Sequence, residues 1–194
     1  MASGFHHETE RLILRDWREE DWAPFWEGLN TPAVTKWIGG VADAETMANA
    51  QERLVQYAKD WGHTFWCVER RSDGRVLGFC GLKRCTDEQG PFGMMEAGWR
   101  LREDAWGQGY AKEGAIAALD LSFDRFGVDE TMAMTFQSNT ASWGLMRRIG
   151  MTRRPELDFK DALWPQYDEP IIIHAITRDA WAAHRPSLME EQRG

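Results

Sequence analysis

The sequence predicts an α+β domain, and three observations predict it. Segments with helical apolar spacing alternate with short aromatic and β-branched runs. Three such runs follow one another across turn residues as a meander, and a strand, glycine loop, helix, strand and helix come after it. With 194 residues, 43% hydrophobic and 28% charged, the chain is long enough for one core and too short for two domains of ordinary size.

The first strand is Arg11-Leu12-Ile13-Leu14-Arg15, and Trp22, Phe25, Trp26 and Leu29 then share one face of a helix at i, i+3, i+4, i+7 spacing. Asp21 is the expected N-cap, which leaves Pro24 in the first turn, where proline is tolerated. A loop over 30–40 holds Pro32, Gly39 and Gly40. Met47, Ala50, Leu54, Ala58 and Trp61 then resume helical spacing in a helix that starts near Asp43. Strands over 64–68 and 76–82 join across Ser72-Asp73-Gly74, a turn composition, and a linker with Asp87, Gly90 and Pro91 leads to a third strand over 94–101.

After a glycine loop, Ala111, Ala115, Ala118, Leu119, Phe123 and Phe126 mark a helix over 110–126 closed by Gly127. A strand over 131–136 precedes Asn139, which caps a short helix that Gly150 stops. Pro155, Trp164, Pro165 and Tyr167 lie in a long irregular connection before a strand over 170–176. Residues 1–8, with adjacent His6 and His7, read as a loose extension. The polar, proline-containing end over 184–194 reads as a frayed tail.

Several function classes are disfavoured. The net charge of −8, with no offsetting Lys/Arg run, argues against nucleic acid and anionic membrane as partners and favours a cationic acceptor. No apolar run approaches the ~20 residues that span a bilayer, and the start lacks a signal-peptide layout, so a cytoplasmic location is expected. Cys67, Cys80 and Cys85 lack Cys-x-x-Cys spacing and read as buried thiols, and the scattered histidines indicate no metal.

The chemistry concentrates in Trp106-Gly107-Gln108-Gly109-Tyr110-Ala111. Without Cβ atoms, Gly107 and Gly109 let the backbone turn tightly and approach a ligand. The N–H groups opening the next helix have no intrahelical partners, and the helix dipole favours an anion there, pyrophosphate above all. An ordinary turn is the other reading. No Gly-Lys-Ser/Thr follows and the third glycine of a dinucleotide fingerprint is absent, so those two nucleotide classes drop out.

Leu101-Arg102-Glu103-Asp104-Ala105 and the loop, followed by Lys112-Glu113-Gly114, then Asn139-Thr140-Ala141-Ser142, then Arg148-Ile149-Gly150-Met151, together resemble the GNAT superfamily of acetyltransferases. The opening Thr9-Glu10-Arg11-Leu12-Ile13-Leu14-Arg15 is similar to the start of its RimJ/RimL-like branch, so the resemblance spans about residues 9–183. It implies a single three-layer αβα domain around a mixed, splayed, mostly antiparallel sheet. Acetyl-coenzyme A is then expected as co-substrate, without a metal, between the strands over 94–101 and 131–136. Trp106 departs from the first position of the family's loop motif, while Gly109 and Ala111 match later ones. Phosphate binding by backbone tolerates the departure.

The resemblance also implies roles. Trp99, Leu101 and Arg102 would pair the pantetheine arm, with the Leu101 N–H stabilising charge on the thioester carbonyl; plain strand is the alternative. The loop residues Trp106, Gly107, Gln108, Gly109, Tyr110 and Ala111 would hold pyrophosphate. Ser142 is the implied acid for the leaving thiolate, or else a capping residue, and Asn139 is a cap or a contact to the cofactor arm. Glu96 is a candidate base and acceptor contact, or a surface carboxylate paired with Arg100. Trp26 and Trp37 are candidate acceptor-pocket residues, core packing being the other reading of Trp26.

The expected reaction is acetyl transfer to a primary amine, a protein N-terminus or a small molecule, by direct attack in a ternary complex. A different acyl group such as succinyl, which Arg100 and Arg102 keep open, and a non-catalytic coenzyme A sensor are the alternatives. A homodimer also stays open.

Overall fold

The computed structural model describes residues 4–86, 90–160 and 166–191; Asp87, Trp164 and Pro165, placed in loops above, lie outside them. In chain order the elements are β1 (His6–Glu8), β2 (Leu12–Arg15), α1 (Trp22–Leu29), α2 (Pro32–Thr35), α3 (Ala44–Trp61), β3 (Phe65–Arg70), β4 (Arg75–Arg84) and β5 (Met95–Leu101). There follow α4 (Tyr110–Asp124), β6 (Glu130–Phe136), α5 (Thr140–Arg148), β7 (Thr152–Arg153), β8 (Ile171–Thr177) and α6 (Arg178–Glu191). Among the described residues the strands form one mixed sheet, ordered β1-β2-β3-β4-β5-β6-β8-β7, and helices flank it.

Two compact units make up this fold, Met1–Lys83 with Gly98–Ala118 and Arg84–Ala97 with Leu119–Gly194. In the first, β1 pairs antiparallel with β2, β2 with β3, and β3 with β4, with a register shift at Val68/Glu69. Trp22, Phe25 and Leu29 bury one face of α1 on Cys67, Val76 and Phe79, as the i, i+3, i+7 spacing requires. Fully burying a side chain of this size contributes about 1.5–3 kcal/mol. Asp43 caps α3 through Oδ1, which accepts the Thr46 N–H at 2.8 Å.

Asp21 departs from its expected role. It makes no capping bond to α1; instead its carboxylate accepts two hydrogen bonds from the Arg15 guanidinium, at 2.6 and 2.7 Å, and one from the Arg18 N–H at 2.7 Å. A cap satisfies one helix-end donor, whereas this carboxylate neutralises a buried cation, and the larger electrostatic need decides its placement. Residues 5–8 of the expected loose extension are also ordered: β1 pairs with β2, and the Phe5 ring stacks on Trp66 at 3.9 Å.

In the second unit, β6 pairs antiparallel with β8 along its whole length, and β7 pairs with β8. The frayed tail expected over 184–194 is corrected for residues 184–191, because α6 runs from Arg178 through Glu191 despite Pro186; residues 192–194 lie outside the described residues. Trp181 and Leu188 are buried, and Asp120 accepts hydrogen bonds from Trp181 Nε1 at 3.0 Å and from Arg185 at 2.9 Å. Packing and this ion pair outweigh the helix-breaking cost of one proline. Among the described residues, no helix is long and apolar enough to cross a membrane.

Candidate functional site

Backbone geometry at the glycine loop follows from its glycines. Gly107 and Gly109 adopt φ of 71° and 81°, a left-handed region that side chains resist, between a 3-10 turn at Glu103–Ala105 and the start of α4. A Cβ at Gly107 would meet nothing within 4 Å, and one at Gly109 only Arg11 Nη2 at 3.3 Å. The loop therefore presents backbone, with open space at Gly107, as a phosphate cradle requires. The first i→i−4 bond of α4 runs from the Glu113 N–H to the Gly109 carbonyl at 3.0 Å, so the N–H groups of Tyr110 and Ala111 precede the helical ladder.

The loop's own side chains brace it. Trp106 is half exposed and its Nε1–H donates to the Leu101 carbonyl at 2.8 Å; Gln108 Nε2 donates to the Asp104 carbonyl at 2.6 Å. Both side-chain donors are thus engaged by backbone carbonyls. Arg11 is a residue that the motif reading passed over. Its guanidinium donates to the Gln108 carbonyl at 2.9 Å and to Glu113 Oε2 at 2.7 Å, and lies 4.7 Å from the Tyr110 ring centre. Glu113 also accepts from the Thr9 hydroxyl at 2.5 Å. The start of β2 is thus tied to the first turn of α4.

Within β5, Arg102 is a correction to the pantetheine assignment, because its N–H donates to the Leu77 carbonyl at 2.9 Å and its Nε to Asp104 at 2.6 Å. Successive strand N–H groups point to opposite edges, which turns Leu101 N–H away from β4. Arg100 lies on the same unit's aromatic face. Its guanidinium sits 4.9 Å from the Phe79 ring centre, and Phe79 stacks on Phe65 at 5.0 Å with an interplanar angle of 1°. Gly98 leaves room for this arrangement, since a Cβ there would lie 2.5 Å from the Phe65 ring.

Burial pushes the Arg100 guanidinium down to about 10, which still leaves it charged at neutral pH. A desolvated cation–π contact contributes about 2 kcal/mol, less than the several kcal/mol of withdrawing an ion from water. Trp26 packs edge-on against Phe25 at 4.8 Å, and its Nε1 is buried without an acceptor among the described residues. Trp37 is half-buried under the Lys36 ammonium, 4.6 Å from its ring centre.

In the second unit, the ladder between β5 and β6 is parallel and, among the described residues, confined to Met95↔Thr131 and Glu96↔Met132, at the start of two seven-residue strands. Glu96 is 8% exposed, which corrects its reading as a surface carboxylate paired with Arg100. Asn139 serves as the N-cap, its Oδ1 accepting the Ser142 N–H at 3.4 Å while Nδ2 donates to Thr135 Oγ1 at 2.9 Å. The Ser142 hydroxyl caps nothing among the described residues, so the capping role belongs to Asn139. No group of three or more His, Cys, Asp or Glu that could hold a metal occurs among the described residues.

Comparison with known proteins bears on both units. The acetyltransferase (GNAT) domain family matches residues 11–152. The uncharacterised protein YkkB of Bacillus subtilis (strain 168) is 30% identical over 144 residues, covering 74% of this chain and 83% of YkkB. The crystal structure of an acetyltransferase from Agrobacterium tumefaciens C58 superposes with a TM-score of 0.77 at 23% identity, covering 92% and 97% of the two chains. A ribosomal-protein-S5-alanine acetyltransferase from Vibrio fischeri gives 0.72 at 18% identity, covering 91% and 98%. These two structural likenesses show a shared fold. With the family match extending over most of the sequence and a glycine loop of the required geometry at the head of α4, the chain belongs to the GNAT acetyltransferases, which transfer acetyl from acetyl-coenzyme A to an amine.

Proposed function

We propose that this protein acetylates a primary amine by direct attack on acetyl-coenzyme A within a ternary complex, with the pyrophosphate held by the backbone of Gly107 to Ala111. The observation that carries this reading is the pair of left-handed glycines opening α4, with no atom within 4 Å of a Cβ at Gly107. Acetyl-coenzyme A supplies an activated acyl carbon when bound. Leu101 N–H is the proposed donor to the carbonyl oxygen, and Trp99 pairs the pantetheine arm through its backbone.

Proton traffic falls to two residues of the second unit. Glu96 takes a proton from the attacking nitrogen as the N–C bond forms. Ser142 gives its hydroxyl proton to the sulfur as the C–S bond breaks, and the proton taken by Glu96 returns to the serine through solvent, which restores both groups. A base matters more for a lysine-like amine, with pKa ~10.4, than for an α-amine at ~7.7–8.0. Attack without an acyl-enzyme is supported by the thiols: Cys67, Cys80 and Cys85 are buried, and burial pushes the first two up to about 12, far from the thiolate that a nucleophile needs.

For the acceptor, the RimJ/RimL-like opening and the S5-alanine specificity in the Vibrio protein's name support a protein N-terminus, while Trp26 on α1 and Trp37 in the turn after α2 suit a small amine as well. Thiol release from acetyl-coenzyme A, screened against peptides, polyamines, amino acids and antibiotics, tests the reading. Release with no amine would leave it without support. Ser142→Ala should lower turnover more than tenfold, with acetyl-coenzyme A affinity by calorimetry changed less than twofold. Equal turnover would remove the acid role.

A further inference from the structure

The aromatic face of the first unit carries two donors without acceptors among the described residues. Trp17, Trp106, Trp143 and Trp181 each donate the indole N–H to an oxygen. Trp26 Nε1, by contrast, is buried and has no acceptor among the described residues. Other arginines of this unit are held by carboxylates, Arg15 by Asp21 and Glu69, and Arg75 and Arg102 by Asp104. The Arg100 guanidinium is half-buried and rests on Phe79.

The two donors border one cluster. Trp26 packs on Phe25, Phe25 lies 6.3 Å from Phe79, and Phe79 underlies Arg100. Gly28, two residues beyond Trp26, approaches the Arg102 side chain so closely that a Cβ would lie 3.0 Å from it, which brings α1 over the end of β5. The Lys83 ammonium, 5.5 Å from the Phe65 ring centre, adds a second cation.

We propose that Arg100 binds a carboxylate carried by a substrate, and so sets specificity for a small carboxylate-bearing molecule. A planar guanidinium fork matches the two oxygens of a carboxylate, and the aromatic walls exclude the water that would compete for it. A phosphate dianion, with three oxygens and a larger charge, would call for more donors than one fork supplies. The carboxylate has two sources, an amino acid acceptor or a dicarboxylic acyl group such as succinyl. The inference deepens the acyl-transfer reading above and rests on it.

Thiol release with the full chain distinguishes the sources. In one arm, α-amino acids are compared with their amides as acceptors for acetyl-coenzyme A. In the other, succinyl-coenzyme A is compared with acetyl-coenzyme A using benzylamine. The wild type should favour the carboxylate-bearing member of one pair by at least tenfold in kcat/KM. In Arg100→Gln that preference should fall to within twofold, Arg100→Lys should keep part of it, and the melting temperature of Arg100→Gln should not drop, because an uncompensated charge has been removed. No preference in either arm, including no turnover with either member, or a preference that survives in Arg100→Gln, overturns the inference. A wild type that fails to bind acetyl-coenzyme A in calorimetry overturns the acyl-transfer reading and this inference with it; one that binds it but shows no carboxylate preference overturns this inference alone.

Discussion

Gly109→Val is expected to abolish acetyl-coenzyme A binding, measured by calorimetry as a loss of at least a hundredfold in affinity. At φ 81° a β-branched residue is strained, and relaxing that strain would rotate the N–H groups away from the phosphate position. The new Cβ would also lie 3.3 Å from Arg11 Nη2, and Arg11 cannot swing aside freely because Glu113 and the Gln108 carbonyl hold it. Gly107→Ala separates the two effects, since its Cβ meets nothing within 4 Å and it tests backbone conformation alone. Both variants should keep a cooperative melt, because the loop is on the surface and no core contact is removed. Wild-type affinity in Gly109→Val would sink the assignment of this loop to pyrophosphate.

The features legible in the sequence are those set by neighbours along the chain. Asn139 before α5 caps as expected, because an N-cap needs only a donor three residues on, and Asp43, near which α3 was expected to start, caps by the same rule. The glycines of the loop are of the same kind: a left-handed residue ahead of a helix announces itself locally. Periodicity likewise found α1, α4 and the meander.

Features decided by distant partners were not legible. Arg11 braces the loop through Glu113, 102 residues away, and nothing near either residue signals the pair. Glu96 and Arg100, four apart on one strand face, suggested a surface ion pair. In the structure Glu96 is buried and Arg100 rests on an aromatic ring, because burial is fixed by what packs over the strand. Helix α6 did carry a signal in Trp181, Arg185 and Leu188 at i, i+4, i+7, but Pro186 and the polar residues around it obscured the spacing. Asp21 shows the competition most directly, since a local rule assigned it to a helix end and a buried arginine claimed it.

That competition gives the largest expected effect on stability. Arg15 and Asp21 are 4% and 3% exposed, and Asp21→Asn would leave the guanidinium with Glu69 as its remaining carboxylate. Breaking a buried pair from one side costs about 3–5 kcal/mol, and the surviving Glu69 bond places this case toward ~3. For a chain of this size that is a fall of roughly 6–12 °C in melting temperature.

The pH dependence has a definite sign. Burial pushes the Asp21 carboxyl up, but hydrogen bonds from Arg15 and the Arg18 N–H, with the charge of both arginines, outweigh it and hold the carboxyl below its ordinary value. A depressed pKa contributes stability above the unfolded-state value of ~3.9 and loses it as pH falls through the folded value. The difference between wild type and Asp21→Asn, measured by urea unfolding, should therefore be complete at pH 7 and shrink below about pH 4. A difference that is flat across this range would mean that the carboxylate's charge is not what stabilises α1. Acetyl-coenzyme A affinity of the folded variant should stay within threefold of wild type at low temperature, because the loop is tied to β2 through Arg11 and Glu113 and not through Asp21. Loss of that affinity in a folded Asp21→Asn protein would show instead that the charge anchoring α1 also shapes the donor site.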